Sequence, residues 1–167
     1  MFQLAVCESP VGPLTVAGRG ERLVLVQFGD HIEAASALLR RHDPAAAIVE
    51  HADPAGAVSA LGAYFAGDLG ALDRLEVDLL GTPFQQRVWS ELRKVAPGRT
   101  ASYLDIAKAI GSATSTRAVG AANGANPVAI VVPCHRIIGT SGSLVGYGGG
   151  LERKRWLLQH EGILLKM

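Results

Sequence analysis

Residues 102–123 read Ser102-Tyr103-Leu104-Asp105-Ile106-Ala107-Lys108-Ala109-Ile110-Gly111-Ser112-Ala113-Thr114-Ser115-Thr116-Arg117-Ala118-Val119-Gly120-Ala121-Ala122-Asn123. A helix starting at Ser102-Tyr103-Leu104-Asp105 reaches Ile110, Gly111-Ser112 breaks it, and another helix spans Thr116 to Asn123. Two short helices around a glycine-containing turn have the outline of a helix-turn-helix, although helical hairpins are also ordinary packing units. Glycine inside a helix costs up to about 1 kcal/mol relative to alanine. Gly120, set among small residues, therefore points to close approach of another surface, either a neighbouring helix or a nucleic-acid backbone. Composition alone favours the helix; Arg117 beside it makes nucleic acid a serious competitor.

Upstream, Thr82-Pro83-Phe84-Gln85 combines an N-cap threonine, a proline at the first helical position and a glutamine placed to close a capping box. Phe84, Val88, Leu92 and Val95 continue at helical spacing until Pro97-Gly98 ends the segment. Before Gly81 the signals change. Gln3 to Val6, Leu14 to Ala17 and Leu23 to Phe28 are strand candidates, punctuated by Ser9-Pro10, Gly12-Pro13 and Gly18-Arg19-Gly20, and they read as an antiparallel meander. Helices follow over Ile32 to Arg41 and Ala55 to Phe65, and Leu75 to Leu80 is a further strand or an extended linker. The prediction is an α+β chain: a small N-terminal α/β domain with an antiparallel sheet over residues 1–80, acting as scaffold. A mainly helical C-terminal domain with a winged-helix-like helix-turn-helix occupies residues 81–167.

The 167 residues are 49% hydrophobic and 19% charged, which excludes a disordered chain. No apolar run approaches the roughly 20 residues of a membrane helix, and the N-terminus lacks the pattern of a signal peptide, so the expected location is cytoplasmic. Residues 1–81 hold five Lys or Arg against eleven Asp or Glu, a balance of −6, whereas residues 82–167 hold eleven against four, or +7. Two readings fit: the second half meets a polyanion, or it neutralises the acidic half by contact.

Cys7 and Cys134 are the two cysteines, and both are read as free thiols. Neither has a partner at zinc-finger spacing, so no metal site built from local ligands is expected. Val128 to Val132 reads as a buried strand ended by Pro133, which puts Cys134 where strand gives way to turn. A buried cysteine is most often a small hydrophobe. His135 and Arg136 weigh against that, because an imidazole or guanidinium nearby favours the nucleophilic thiolate.

Pro133-Cys134-His135-Arg136, preceded by Asn126-Pro127 and followed by Gly146-Tyr147-Gly148-Gly149-Gly150, resembles the active-site region of the O6-alkylguanine-DNA alkyltransferases. The resemblance extends from about Thr82 to Gly162 and covers the first 80 residues only in outline. It implies that Cys134 attacks the alkyl carbon on O6 of a damaged guanine and keeps the group as a thioether, with no cofactor. It makes His135 a base acting through water, Glu161 the carboxylate orienting the imidazole, Tyr103 the donor to the leaving base, and Asn126 the residue fixing the thiol's turn. Arg117 matches the arginine that fills the gap left by a flipped nucleotide. The small residues of its helix, Thr116, Ala118, Gly120, Ala121 and Asn123, would lie in the minor groove of duplex DNA containing O6-alkylguanine, bound by a monomer.

Val145, Tyr147 and Gly148 would line the base pocket, although the Gly-Tyr-Gly-Gly-Gly run also reads as a flexible linker. Some relatives carry serine at position 148, so glycine there would remove a side-chain contact to O6 and widen the pocket. Lys154, in an otherwise solvated basic face, would support the pocket through hydrogen bonds. Trp156 and Leu157 are expected in the core. The zinc site of some animal relatives should be missing, since Cys7 has no second cysteine in its domain. Two rivals remain: a non-catalytic lesion binder, against which Cys134 argues, and a cysteine hydrolase, for which no oxyanion site is evident.

Overall fold

The alternation of strand-forming runs and turn residues near the N-terminus folds into three antiparallel strands, β1 (Phe2–Cys7), β2 (Leu14–Arg19) and β3 (Arg22–Phe28). The structure is a computed structural model that describes residues 1–139, 142, 144 and 146–164. It divides the chain into Met1–Leu80 and Gly81–Met167.

In the first unit, helix α1 (Ile32–His42) precedes a three-residue strand, β4 (Ile48–Glu50), and helix α2 (Ala57–Phe65) precedes a two-residue strand, β5 (Glu76–Val77). The sheet order is β4-β1-β2-β3-β5. The antiparallel meander is thus its centre, and both edges pair parallel, β4 with β1 and β5 with β3. The segment Leu75 to Leu80 resolves into β5 plus extended chain. Five consecutive residues of β2, Leu14 to Gly18, are buried, as a central strand covered on both faces requires. Phe2, Leu4, Ala17, Val24 and Leu25 pack with Ala35 and Leu39 of α1 in one core cluster. Leu80 closes against it.

In the second unit, helix α3 (Pro83–Leu92) starts with the complete capping box: Gln85 N donates to Thr82 Oγ1 at 3.1 Å, and Thr82 N to Gln85 Oε1 at 2.9 Å. Val88, Trp89 and Leu92 are its buried stripe. Gly81 is required by close approach, since a Cβ there would lie 2.4 Å from the Trp89 ring. Helices α4 (Tyr103–Ala109) and α5 (Thr116–Gly124) form the helical pair, and Ser102 and Asp105 supply a second capping box for α4. The Trp89 indole donates to the Ala122 carbonyl at 2.8 Å and ties α3 to α5.

Helix α6 (Leu151–His160) buries Lys154, Leu157 and Leu158. Trp156 is not in the core as expected; it is half-buried and stacks on His160, one turn away, with ring centroids 4.8 Å apart. The inward stripe of α6 runs through positions 154, 157 and 158, which turns position 156 to the side.

Candidate active site

The segment expected to be a strand, Val128 to Val132, is buried, but only Val128 makes an isolated bridge and the rest turns. Val132 N bonds Val128 O at 2.9 Å, Val131 N bonds Ala129 O at 2.8 Å, and Ile130 sits at φ 70. Asn126 explains why no ladder forms. Its Oδ1 accepts from Val128 N at 2.9 Å and its Nδ2 donates to Val132 O at 2.7 Å, so one carboxamide satisfies both ends of the turn. The β-branched run reflects burial rather than strand pairing. A buried β-branched residue at positive φ stores about 1–3 kcal/mol of strain, held by its surroundings.

This turn delivers Cys134 into a short 3-10 segment, Cys134–Arg136. The thiol is buried, and Asn126 Nδ2 also reaches Cys134 Sγ at 3.1 Å. Backbone bonds on either side of Ala101, to Arg136 O at 3.0 Å and from Ile138 N at 2.9 Å, fasten the cysteine segment to the start of α4. Burial pushes the thiol's pKa up; hydrogen bonds from Asn126 and Tyr147 and the charge of Lys154 oppose it without overcoming it. The expectation that His135 and Arg136 hold a thiolate is therefore not met at rest.

Those two residues serve a different group. His135 Nε2 lies 2.8 Å from Glu161 Oε2, while Arg136 donates through Nε to Oε1 at 2.8 Å and through Nη2 to Oε2 at 2.9 Å. A third Arg136 donor, Nη1, bonds the Val95 carbonyl at 2.6 Å. Burial tends to raise the Glu161 pKa, but the hydrogen bonds and charges of Arg136 and His135 prevail and hold it at about 2. His135 is pushed below its ordinary value by burial, with Glu161 pulling the other way. A neutral imidazole that gives its Nε2 proton to a carboxylate leaves Nδ1 bare as a base. Nδ1 is buried and has no hydrogen-bond partner among the described residues.

Glu161 reaches this position because α6 stops there. Gly162 adopts φ 91, and Gly162 N and Ile163 N bond back to Gln159 O and Leu158 O, both at 3.0 Å, in the manner of a Schellman cap.

Tyr103 lies at the start of α4. Burial raises its phenol pKa, and the negative charge of a Cys134 thiolate raises it further, which places phenol and sulfur in one site. Lys154 is fully buried: its ammonium donates to the Ile137 carbonyl and lies 5.8 Å from the centroid of the Tyr147 ring. Burial lowers its pKa to about 8, against the pull of Cys134.

The comparisons with known proteins bear on this geometry. Residues 83–163 match the family described as 6-O-methylguanine DNA methyltransferase, DNA binding domain, and residues 4–79 match the ribonuclease-like domain of the same methyltransferases. The methylated-DNA–protein-cysteine methyltransferase of Mycobacterium bovis is 48% identical over 161 residues, covering 96% of this chain and 93% of its own. The chain belongs to the 6-O-methylguanine DNA methyltransferase family. The Salmonella typhimurium protein of the same name is 45% identical, with 94% of each chain covered. Among solved structures, the Mycobacterium tuberculosis O6-methylguanine methyltransferase superposes with a TM-score of 0.79 at 46% identity, covering 96% of this chain and 93% of that one. The M. tuberculosis OGT in complex with DNA gives 0.77 at 46%, covering 96% and 91%.

Against the alkyltransferase pattern, the structure brings Cys134, Asn126 and Tyr103 to one place and His135 and Glu161 into direct contact. Arg136 is the residue that sequence reasoning misassigned. Two of its hydrogen bonds go to a carboxylate 25 positions away, a pairing that no local spacing signals. On α5, Arg117, Ala118 and Ala121 are exposed and Thr116 is half-buried. Gly120 faces the Tyr103 ring, where a Cβ would sit at 3.8 Å in ordinary contact, so protein packing alone does not demand glycine. Asn123, grouped with the outward residues, is instead buried at 5% exposure: helical phase turns position 123 inward beside Val119 and Ala122. Tyr147 is half-buried and Gly148 exposed; Val145 lies outside the described residues.

Proposed function

We propose that this protein repairs alkylated DNA by moving the alkyl group from O6 of guanine to Cys134 Sγ, irreversibly and once per molecule. The observation that carries this reading is the chain of contacts around the thiol: Asn126 on the sulfur at 3.1 Å, and His135 on the Arg136-braced Glu161 at 2.8 Å. Nδ1 of His135 takes the thiol proton through a water. The sulfur then forms a bond to the alkyl carbon as the carbon–O6 bond breaks, and the electron pair stays on the base. Glu161 balances the imidazolium that results. Tyr103, kept protonated by its raised pKa, donates a hydrogen bond to the base as it becomes an anion. The product is a thioether with no leaving path, so the reaction ends there.

The substrate is duplex DNA, bound by a monomer through the minor groove, with the damaged nucleotide flipped out to reach the buried thiol. The excess of positive charge after residue 81 and the exposed Arg117, Ala118 and Ala121 of α5 support this docking. Among the described residues no helix is long and apolar enough to cross a membrane. A cytoplasmic setting, where thiols stay reduced, suits the free Cys134.

Intact mass after exposure to DNA containing O6-methylguanine tests the reading. A stable gain of one methylene on Cys134 is expected. Binding without mass change would indicate a lesion binder, and repeated turnover with an unmodified thiol would indicate a hydrolase; either overturns the proposal.

A further inference from the structure

Helix α4 is packed along its middle and open at its end. Ile106 and Ala107 are its buried residues; Lys108 and Ala109, which follow, are exposed, and Ile110 is half-buried. A groove lined by Pro83, Gln86, Ser90 and Glu91 of α3 and by Ala109 and Ile110 runs between the two helices there, where packed side chains would otherwise join them. Arg87 of α3 crosses it. Itself exposed, it donates through Nη2 to the Ile110 carbonyl, 23 positions along the chain. The last carbonyls of a helix lack partners within it and form the negative end of its dipole, which suits a guanidinium donor. Gly111 N to Lys108 O at 3.0 Å and Ser112 N to Ala107 O at 2.8 Å shape the turn that follows, without tying it to α3. That turn leads directly into α5, whose first turn carries Arg117. The rest of α5 is fixed separately, by buried Val119, Ala122 and Asn123 and by the Trp89 indole on the Ala122 carbonyl. Its start follows the end of α4.

We infer that Arg87 is a positioning residue for DNA docking: by latching the end of α4 to α3 it fixes the first turn of α5, and so the reach of Arg117, without itself touching DNA. The inference rests on the docking reading above. With the latch removed, the end of α4 and the turn after it sample several arrangements, and only a fraction of them present Arg117 correctly. Affinity for duplex DNA falls by that fraction. The chemistry is spared, because the contacts of Cys134 with Asn126 and of His135 with Glu161 do not involve Arg87. Tyr103, at the opposite end of α4, is held by the capping box of Ser102 and Asp105.

The test compares wild type with Arg87→Met, which keeps most of the side-chain length and loses the donors. Affinity for duplex carrying O6-methylguanine should fall about fivefold, while the transfer rate at saturating duplex and the rate with free O6-benzylguanine stay near wild type. The free-base rate doubles as the folding control. The salt dependence of duplex binding should keep its slope, whereas a lost phosphate contact would reduce it by about 1. In a double-mutant cycle Arg87→Met should add little to the loss in Arg117→Ala, because it acts through the placement of that side chain. A reduced salt slope would make Arg87 a phosphate contact, equal losses on duplex and free base would make it part of the fold, and additive losses in the cycle would disconnect it from Arg117. Each of these, like an unchanged duplex affinity, overturns the inference and leaves the repair reading intact. Absence of any methyl transfer from duplex DNA by wild type overturns both.

Discussion

Arg136 holds Glu161 with two parallel hydrogen bonds, Nε to Oε1 at 2.8 Å and Nη2 to Oε2 at 2.9 Å, while His135 Nε2 meets the same carboxylate at 2.8 Å. The carboxylate is shared, and the guanidinium competes with the imidazole for it. Arg136→Met removes a positive charge that depresses the His135 pKa, so that pKa should rise. Breaking a buried ion pair from one side costs about 3–5 kcal/mol. Histidine titration by NMR and denaturant unfolding measure the two effects. An unmoved His135 would show that the arginine braces the fold without tuning the base.

Glu161 ties stability to acid. Its carboxyl is held at about 2 in the folded chain, against about 4.3 for an unfolded glutamate. The stabilisation this supplies is present above the unfolded value and is lost as pH falls through the folded one. Its size is about 3 kcal/mol. Wild type should therefore weaken between about pH 4.3 and 2, and Glu161→Gln should be less stable at neutral pH and flatter across that window. Urea unfolding at a series of pH values checks this. On the proposed mechanism Glu161→Gln should also slow alkyl transfer, because the imidazolium loses its counter-charge.

Tyr103 is raised in pKa first by burial and then by a thiolate at Cys134, so it stays a phenol through the working range. Tyr103→Phe keeps the ring that faces Gly120 and removes the hydroxyl that, on the proposed mechanism, donates as charge develops on the base. Single-turnover rates should fall by about 10²–10³, with melting temperature and DNA affinity near wild type. An unchanged rate would take the hydroxyl out of the mechanism.

Lys154 places a positive charge in the same site, with its pKa lowered by burial to about 8. As pH rises through that value the ammonium is lost, and with it one of the interactions that pull the thiol's pKa down. The transfer rate should decline on the alkaline side near this value. Lys154→Met should be slower at neutral pH and lack that decline. A variant that kept the wild-type pH profile would confine Lys154 to its hydrogen bond with Ile137 O.

What could be read before folding followed from local physics. The capping box of Thr82 and Gln85 and the turns around Ser9-Pro10 and Gly18-Arg19-Gly20 involve neighbours in sequence, and they mark α3 and the β1–β3 meander. The edge strands β4 and β5 have three and two residues, too few for an alternating pattern, and their parallel pairing depends on chain that returns from a distance. Val128 to Val132 misleads because β-branched composition reports burial, whereas a single side chain, Asn126, sets the backbone path. The motif resemblance pairs His135 with Glu161, and the two meet at 2.8 Å. The Arg136 clamp and the inward turn of Asn123 were not legible: the first joins residues 25 positions apart, and the second follows from the phase of α5, which buries position 123 beside Val119 and Ala122.

Arg117 offers the means to separate base extrusion from chemistry. It lies in the first turn of α5 and is exposed, on the side of the helix that also shows Ala118 and Ala121, while Asn123 and Val119 face inward. If its guanidinium fills the space of a flipped nucleotide, Arg117→Ala leaves an unfilled stack at a cost of a few kcal/mol. Repair of duplex O6-methylguanine should then fall sharply. A small free substrate such as O6-benzylguanine needs no extrusion, and the contacts of Cys134 with Asn126 and of His135 with Glu161 do not involve Arg117. Its rate should hardly change, which also controls for misfolding. Equal losses on both substrates would make Arg117 part of the structure or of the active-site network, and the extrusion role would then have to pass to another residue of α5.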